Sequence, residues 1–82
     1  MTSEDLSDRN LGEQPLARLM AERGLTPGDL VTASTEQLTH KMVTRARKGR
    51  RLTANTMAKV HRAWNRAAGC HHVLGDLFNY EP

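Results

Sequence analysis

Apolar residues recur at helical spacing in several short segments of this chain, and this pattern constrains the fold more than any other feature. Leu16, Leu19 and Met20 precede Gly24, a residue type that readily ends a helix, so a first helix is predicted over residues 14–23. No segment alternates apolar and polar residues as a strand does. The 82 residues can build only one small core. The sequence therefore predicts a single all-α domain.

Three more helices are predicted farther along the chain. Thr26 can cap a second helix over about Pro27–Ala33, where the proline suits the first helical position. A third helix is predicted over residues 38–48, and a fourth over Ala54–Ala68 with Thr53 as its cap. One more short helix that folds back on the core is expected around four apolar residues, Val73, Leu74, Leu77 and Phe78. Together these segments predict a compact bundle of four to five helices.

Charged residues are unevenly distributed along the chain. The first 36 residues contain seven acidic and three basic residues, whereas residues 37–75 contain nine basic residues and no acidic one. We therefore expect a disordered acidic tail over residues 1–13 and a folded domain with a basic surface over residues 14–80. Six cations fall within eleven residues of the third helix and its end: Lys41, Arg45, Arg47, Lys48, Arg50 and Arg51.

A basic helix with an apolar inner side suits the major groove of duplex DNA, which accepts one α-helix. The third helix has such an apolar side, and its opposite side is polar, with His40, Lys41, Thr44, Arg47 and Lys48. Aromatic platforms for unpaired bases are missing from the basic stretch, which favours duplex DNA over RNA. Charge alone leaves two alternatives open, a solvated helix face and a protein-interaction module that binds an acidic partner.

Several short motifs occur in a fixed order along the chain: Gly24-Leu25-Thr26, Asp29-Leu30-Val31, the segment from Leu38 to Arg45, Gly49-Arg50-Arg51-Leu52-Thr53, and Asp76-Leu77-Phe78. In this order they resemble the Cro and phage-repressor-like (XRE-type) helix-turn-helix domains over about residues 16–80. The resemblance implies a lambda-repressor-like fold. The connection before the third helix is about two residues longer than the usual turn of that family.

The resemblance also implies a function. It implies a sequence-specific double-stranded DNA-binding protein and transcriptional regulator, whose recognition helix over about residues 38–48 enters the major groove. The expected base-reading residues are Thr39, His40, Lys41, Thr44 and Arg45. The expected phosphate contacts are Arg47, Lys48, Arg50 and Arg51. Such domains usually read two half-sites as dimers, and a homodimer is expected to use the fourth helix with Val73, Leu77 and Phe78.

Other chemistry is not expected from this sequence. Cys70, His71 and His72 are adjacent, and three neighbouring residues rarely converge on one ion, so we predict no metal, no cofactor and no enzymatic activity. His61 and Trp64 fall on the inner side of the fourth helix, as a hydrogen-bonded, partly buried histidine and a core anchor. A single cysteine and the lack of any long apolar run or export signal favour a cytoplasmic protein.

Overall fold

The computed structural model describes residues 11–80, so residues 1–10 and 81–82 lie outside the described part of the chain. Most of the predicted acidic tail falls outside it. Five helices occur within it: α1 Pro15–Arg23, α2 Pro27–Ala33, α3 His40–Lys48, α4 Ala54–Ala68 and α5 Leu74–Leu77. No strand is found between residues 11 and 80, and the predicted all-α fold of four to five helices is confirmed. None of these five helices is long and apolar enough to cross a membrane.

The ends of the helices follow local signals in the sequence. The hydroxyls of Thr26 and Thr53 each accept a 3.2 Å hydrogen bond from the backbone N–H three residues later, which confirms both predicted caps. A glycine with a positive φ ends α1, α3 and α4, at Gly24, Gly49 and Gly69. Glycine adopts this left-handed conformation without steric strain, so the predicted ends are confirmed as well.

Two helices start later than the apolar pattern predicted. α1 begins at Pro15, because Gln14 has an extended backbone and precedes the first turn. α3 begins at His40, two residues later than predicted, because the Thr39 hydroxyl accepts a 3.1 Å hydrogen bond from the Met42 N–H and caps the helix there. Leu38 is buried in the core, as predicted, but it lies in the connection before the helix.

α4 forms the centre of the bundle and packs against α2, α3 and α5. Met57, Val60 and Trp64 are fully buried along its inner side, which confirms Trp64 as a core anchor. The Trp64 indole N–H donates a 2.8 Å hydrogen bond to Nδ1 of His72. The Nε2 atom of His61 lies 2.6 Å from the carbonyl oxygen of His72. The prediction that His61 is partly buried and hydrogen-bonded is therefore also confirmed.

The C-terminal apolar residues divide between the core and the surface. Leu77 and Phe78 are buried, with 0% and 3% exposure, because α5 folds back onto α1 and α4. Neither side chain is available for the homodimer contact expected of them, so that part of the expectation is corrected. Val73 is 64% exposed and is the only large apolar residue exposed between residues 11 and 80.

The long connection between α2 and α3, residues 34–39, is held in place by polar contacts. The Ser34 hydroxyl accepts a 3.0 Å hydrogen bond from the Glu36 N–H and lies 3.2 Å from the Glu36 carbonyl oxygen, to which it donates. The Glu36 carboxylate accepts two 2.6 Å hydrogen bonds from the Arg62 guanidinium of α4. Since Leu38 is also anchored in the core, residues 34–39 form a fixed connection between α2 and α3.

Acid should weaken the contact between Glu36 and Arg62. Hydrogen bonding to Arg62 lowers the pKa of the Glu36 carboxyl below its usual value of 4.5. Because the pKa of the folded state is the lower one, this stabilisation is complete above pH 4.5 and is lost as the pH falls through the lowered pKa. We expect a small effect, since the pair is exposed to solvent.

Urea unfolding followed by Trp64 fluorescence, from about pH 6 to about pH 3, measures this loss. The variant Glu36→Gln is the matched control, because every other carboxyl group titrates in both proteins. The stability difference between the two proteins should shrink as the pH falls. A difference that stays constant over this range would contradict the prediction.

Candidate nucleic-acid interface

The outer side of α3 carries most of the predicted base-reading residues. Val43 and Ala46 are fully buried on its inner side, so the helix is fixed with its polar side toward solvent. Lys41 and Arg45 are exposed, and Thr44 between them is half-buried. One open depression is lined by six residues of α3 and the turn after it, His40, Lys41, Thr44, Arg45, Lys48 and Arg50.

The first turn of α3 packs against the start of α2. A Cβ atom added to Gly28 would lie 3.2 Å from Nε2 of His40, so this glycine allows the histidine ring to approach closely. The Asp29 carboxylate, in the same turn of α2, accepts hydrogen bonds from the Thr26 N–H at 2.8 Å and from its hydroxyl at 3.1 Å. Asp29 follows Gly28 directly in the chain, so its negative charge belongs to the turn of α2 that His40 approaches.

The other end of α3 is more positive. Lys48 and Arg50 line the first depression and also a second one, which Arg47 shares with Gly12, Glu13 and Ala17. Arg47 stands four residues after the buried Val43, on the same side of the helix, and is half-buried. Its Nε atom is buried and has no hydrogen-bond partner. Arg47, which was predicted on the outer side of α3, is therefore separated from the expected base-reading residues, and its predicted position is corrected.

The turn after α3 is held by the C-terminal segment of the chain. The Tyr80 hydroxyl accepts a 3.1 Å hydrogen bond from the Leu52 N–H and donates a 3.2 Å hydrogen bond to the Arg50 carbonyl. The Arg51 guanidinium lies 5.7 Å from the centre of the Tyr80 ring. Burial raises the pKa of the Tyr80 phenol above its usual value, although the Leu52 N–H and Arg51 lower it in part.

Gln14 connects the N-terminal segment, α3 and the C-terminal segment. Its backbone N–H donates to the Arg47 carbonyl at 3.0 Å, and its side chain is 1% exposed. The side-chain amide donates to the Gly12 carbonyl at 2.9 Å and accepts from the Asn79 N–H at 2.8 Å. Residues 11–13, expected to belong to the tail, are held against α3, since the Leu11 N–H also donates to the Gly49 carbonyl at 2.7 Å.

The structure thus brings together four of the five expected base-reading residues with two of the four expected phosphate contacts. The fifth, Thr39, is exposed, but its hydroxyl caps α3. Arg47 faces the second depression, and Arg51 lies over the Tyr80 ring. The sequence did not indicate the roles of Gln14 and Tyr80, because both act through partners far away in the chain.

The adjacent residues Cys70, His71 and His72 lie in the loop after α4. The Cys70 sulfur lies 3.3 Å from Nδ1 of His72, the atom that already accepts the Trp64 N–H, so this nitrogen serves the packing of the loop. Between residues 11 and 80, no group of three histidine, cysteine, aspartate or glutamate side chains is placed to hold a metal ion.

No family model, curated protein or solved structure matches this chain. The resemblance to the Cro and phage-repressor-like domains therefore stays a prediction. The outer side of α3 and the turn after it offer hydrogen-bond donors from Lys41, Arg45, Lys48 and Arg50, and no carboxylate lines the depression that they share. Such a surface can donate to phosphate oxygens and to the acceptor atoms of guanine.

Proposed function

We propose that the protein binds double-stranded DNA in a sequence-specific manner through α3 and acts as a transcriptional regulator without chemistry of its own. One observation carries the proposal. Four cations, a histidine and a threonine line one depression on a single helix and the turn after it. This combination provides contacts to phosphates, which give affinity, and contacts to base edges, which give specificity.

The dimensions of α3 agree with this role. An α-helix with its side chains is about 10–12 Å across, and the major groove of B-DNA is about 12 Å wide, so the groove can accept the nine-residue helix α3. Val43 and Ala46 fix the inner side of the helix in the core. The helix is therefore presented as a rigid element, and DNA binding would not have to order it.

Charge indicates how the two ends of α3 would divide the contacts. Asp29, in the turn of α2 that His40 approaches, would repel a phosphate, whereas Lys48 and Arg50 at the other end would attract one. We infer that Lys41, Thr44 and Arg45 contact bases with His40 beside them. Phosphate contacts are then concentrated at the C-terminal end of α3, where Arg47 and Arg51 extend the positive surface.

The alternative function is a protein-interaction module that binds an acidic partner with the same surface. Protein interfaces usually contain buried aromatic or large aliphatic anchors surrounded by polar residues. The depression on α3 has no such anchor, and Val73 is the one large apolar residue exposed between residues 11 and 80. The lack of an apolar anchor favours DNA. A cytoplasmic location, and a dimer that uses Val73 and α4, remain parts of the proposal.

The proposal is tested by incubating the protein with a randomised pool of duplexes of roughly 20 base pairs, long enough for two half-sites, at two salt concentrations. We expect a defined motif to be enriched. Four phosphate contacts would give a slope of log K against log salt of about −3.6. Weak binding without enrichment would support the interaction module. Absence of binding at low salt would exclude sequence-specific and non-specific DNA binding alike.

Changing a base-reading residue should alter the preferred sequence, whereas changing a phosphate contact should not. Lys41→Ala is expected to reduce the discrimination between base pairs at one position of the enriched DNA motif by roughly 1–3 kcal/mol. Arg50→Ala is expected to weaken binding to all duplexes equally and to reduce the salt slope by about 0.9. Competition assays with single-base variants of the motif measure both effects. Equal losses on every duplex from Lys41→Ala would contradict its assignment as a base reader.

A further inference from the structure

We propose that Tyr80 is a positioning residue that holds the turn Arg50–Leu52 in the conformation that contacts DNA phosphates. This inference rests on the proposed function. It concerns a residue that lies 28 positions after Leu52 and does not line the depression on α3. Tyr80 would act on DNA binding through Arg50 and Arg51.

The hydrogen bonds of the Tyr80 hydroxyl span the turn. The hydroxyl accepts from the Leu52 N–H at 3.1 Å and donates to the Arg50 carbonyl at 3.2 Å. α3 has already ended at Gly49, so these two backbone groups lie beyond its regular helical hydrogen bonds. A single side-chain oxygen therefore fixes the distance between the residues on either side of Arg51.

The Tyr80 ring is itself held by the core and lies beside Arg51. Phe78 is buried, and its ring meets the Tyr80 ring edge to face with centroids 5.8 Å apart. The Asn79 N–H is anchored on the buried Gln14 side chain at 2.8 Å. The Arg51 guanidinium, 5.7 Å from the ring centre, lies within the range of a cation–π contact. The turn is thus joined to the core through the C-terminal segment.

This arrangement affects binding because arginine side chains lose conformational freedom when they contact a phosphate. A turn that is already ordered in the unbound protein reduces the entropy lost on binding. Without the Tyr80 hydroxyl, the backbone of the turn that carries Arg50 and Arg51 would be less ordered in the unbound protein, and binding would have to order it. Affinity should then fall for every duplex, while the preferred sequence stays the same.

Tyr80→Phe tests this inference because it keeps the ring and removes only the hydroxyl. Binding to the enriched duplex should weaken by about three- to tenfold, the effect of one or two lost hydrogen bonds. Hydrogen exchange at the Leu52 amide should become faster in the unbound protein. Asn79→Ala is the matched control, because its side chain is exposed and only its backbone N–H bonds to Gln14. In Asn79→Ala, the affinity for the enriched duplex and the exchange rate of the Leu52 amide should both stay within about twofold of the wild-type values.

A double-mutant cycle separates positioning from a general effect on the fold. In a protein that already carries Arg50→Ala and Arg51→Ala, Tyr80→Phe should change the affinity less than about twofold, because the residues through which it acts are gone. Equal losses in both backgrounds, or no loss in the wild-type background, would overturn the inference while leaving DNA binding intact. Absence of binding by the wild-type protein at low salt would instead overturn the proposed function, and this inference with it.

Discussion

Gly49→Ala is expected to destabilise the protein more than the same change at any other glycine that ends a helix. Gly49 has φ +87° and ends α3. An alanine in this left-handed conformation costs roughly 1–2 kcal/mol. At Gly49 the added Cβ would also overlap the carbonyl oxygen of Gly12, so the N-terminal segment must move away.

The movement would break a set of contacts around the end of α3. The Leu11 N–H donates to the Gly49 carbonyl at 2.7 Å, and the Gln14 side chain holds the Gly12 carbonyl. Losing a hydrogen bond to a buried group costs a further 1–3 kcal/mol, roughly. The total for Gly49→Ala is therefore about 2–5 kcal/mol, a large part of the stability of a domain of this size.

Two other glycines provide matched controls for this prediction. Gly24 and Gly69 also end helices, both with φ +66°, but a Cβ added at either position would meet no atom within 4 Å. Their alanine variants carry the backbone strain alone. Urea unfolding followed by Trp64 fluorescence compares the three variants. If Gly49→Ala lowers the free energy of unfolding no more than the two control variants do, the contact between the N-terminal segment and α3 contributes nothing to stability.

Local chemistry made much of the fold predictable. The caps at Thr26 and Thr53 and the ends at Gly24, Gly49 and Gly69 depend on residues within a few positions of one another, so the sequence indicated them. The start of α3 was predicted wrongly because Leu38 continues the apolar spacing of the helix. The Thr39 cap, which is equally local, determines where the helix begins.

Contacts between distant residues were not predictable in this way. Gln14 and Asn79 are 65 positions apart, and Glu36 and Arg62 are 26 positions apart. A glutamine before a helix normally suggests a solvated residue, and nothing nearby in the sequence shows that Gln14 is buried. Leu77 and Phe78 were expected both in a short helix that folds back on the core and in a dimer interface, and their burial confirms the first of these expectations.

The candidate site, like the fold, was predicted where it depends on local spacing and was not predicted where it depends on distant residues. The side of α3 that faces solvent follows from the burial of Val43 and Ala46, so Lys41 and Thr44 lie together as the spacing indicated. Arg45, which only the resemblance placed with them, lines the same depression. Arg47 was predicted wrongly on the outer side, because it stands four residues after the buried Val43 and lines a depression with Gly12 and Glu13, which were expected to belong to a tail. The role of Tyr80 depends on a partner turn 28 positions away.

Charge reversal at two arginines distinguishes a DNA-reading helix from a chain that is merely basic. Arg45 and Arg66 are both exposed and both lie in the last turn of their helices, α3 and α4. Replacing either by glutamate changes the net charge by the same amount and introduces the same unfavourable charge at a helix C-terminus. Only Arg45 lines the depression on α3, whereas Arg66 lies beside Ser34 and Cys70 on another part of the surface.

Arg45→Glu is expected to weaken binding to the enriched duplex by roughly tenfold to a hundredfold, because a base contact is lost and a carboxylate faces the DNA. Arg66→Glu should weaken binding less than about threefold, since salt screens a charge that does not contact the duplex. Fluorescence anisotropy with a labelled duplex measures both affinities at equal salt. Similar losses in the two variants would mean that overall charge, rather than α3, determines binding, and DNA recognition by this helix would have to be abandoned.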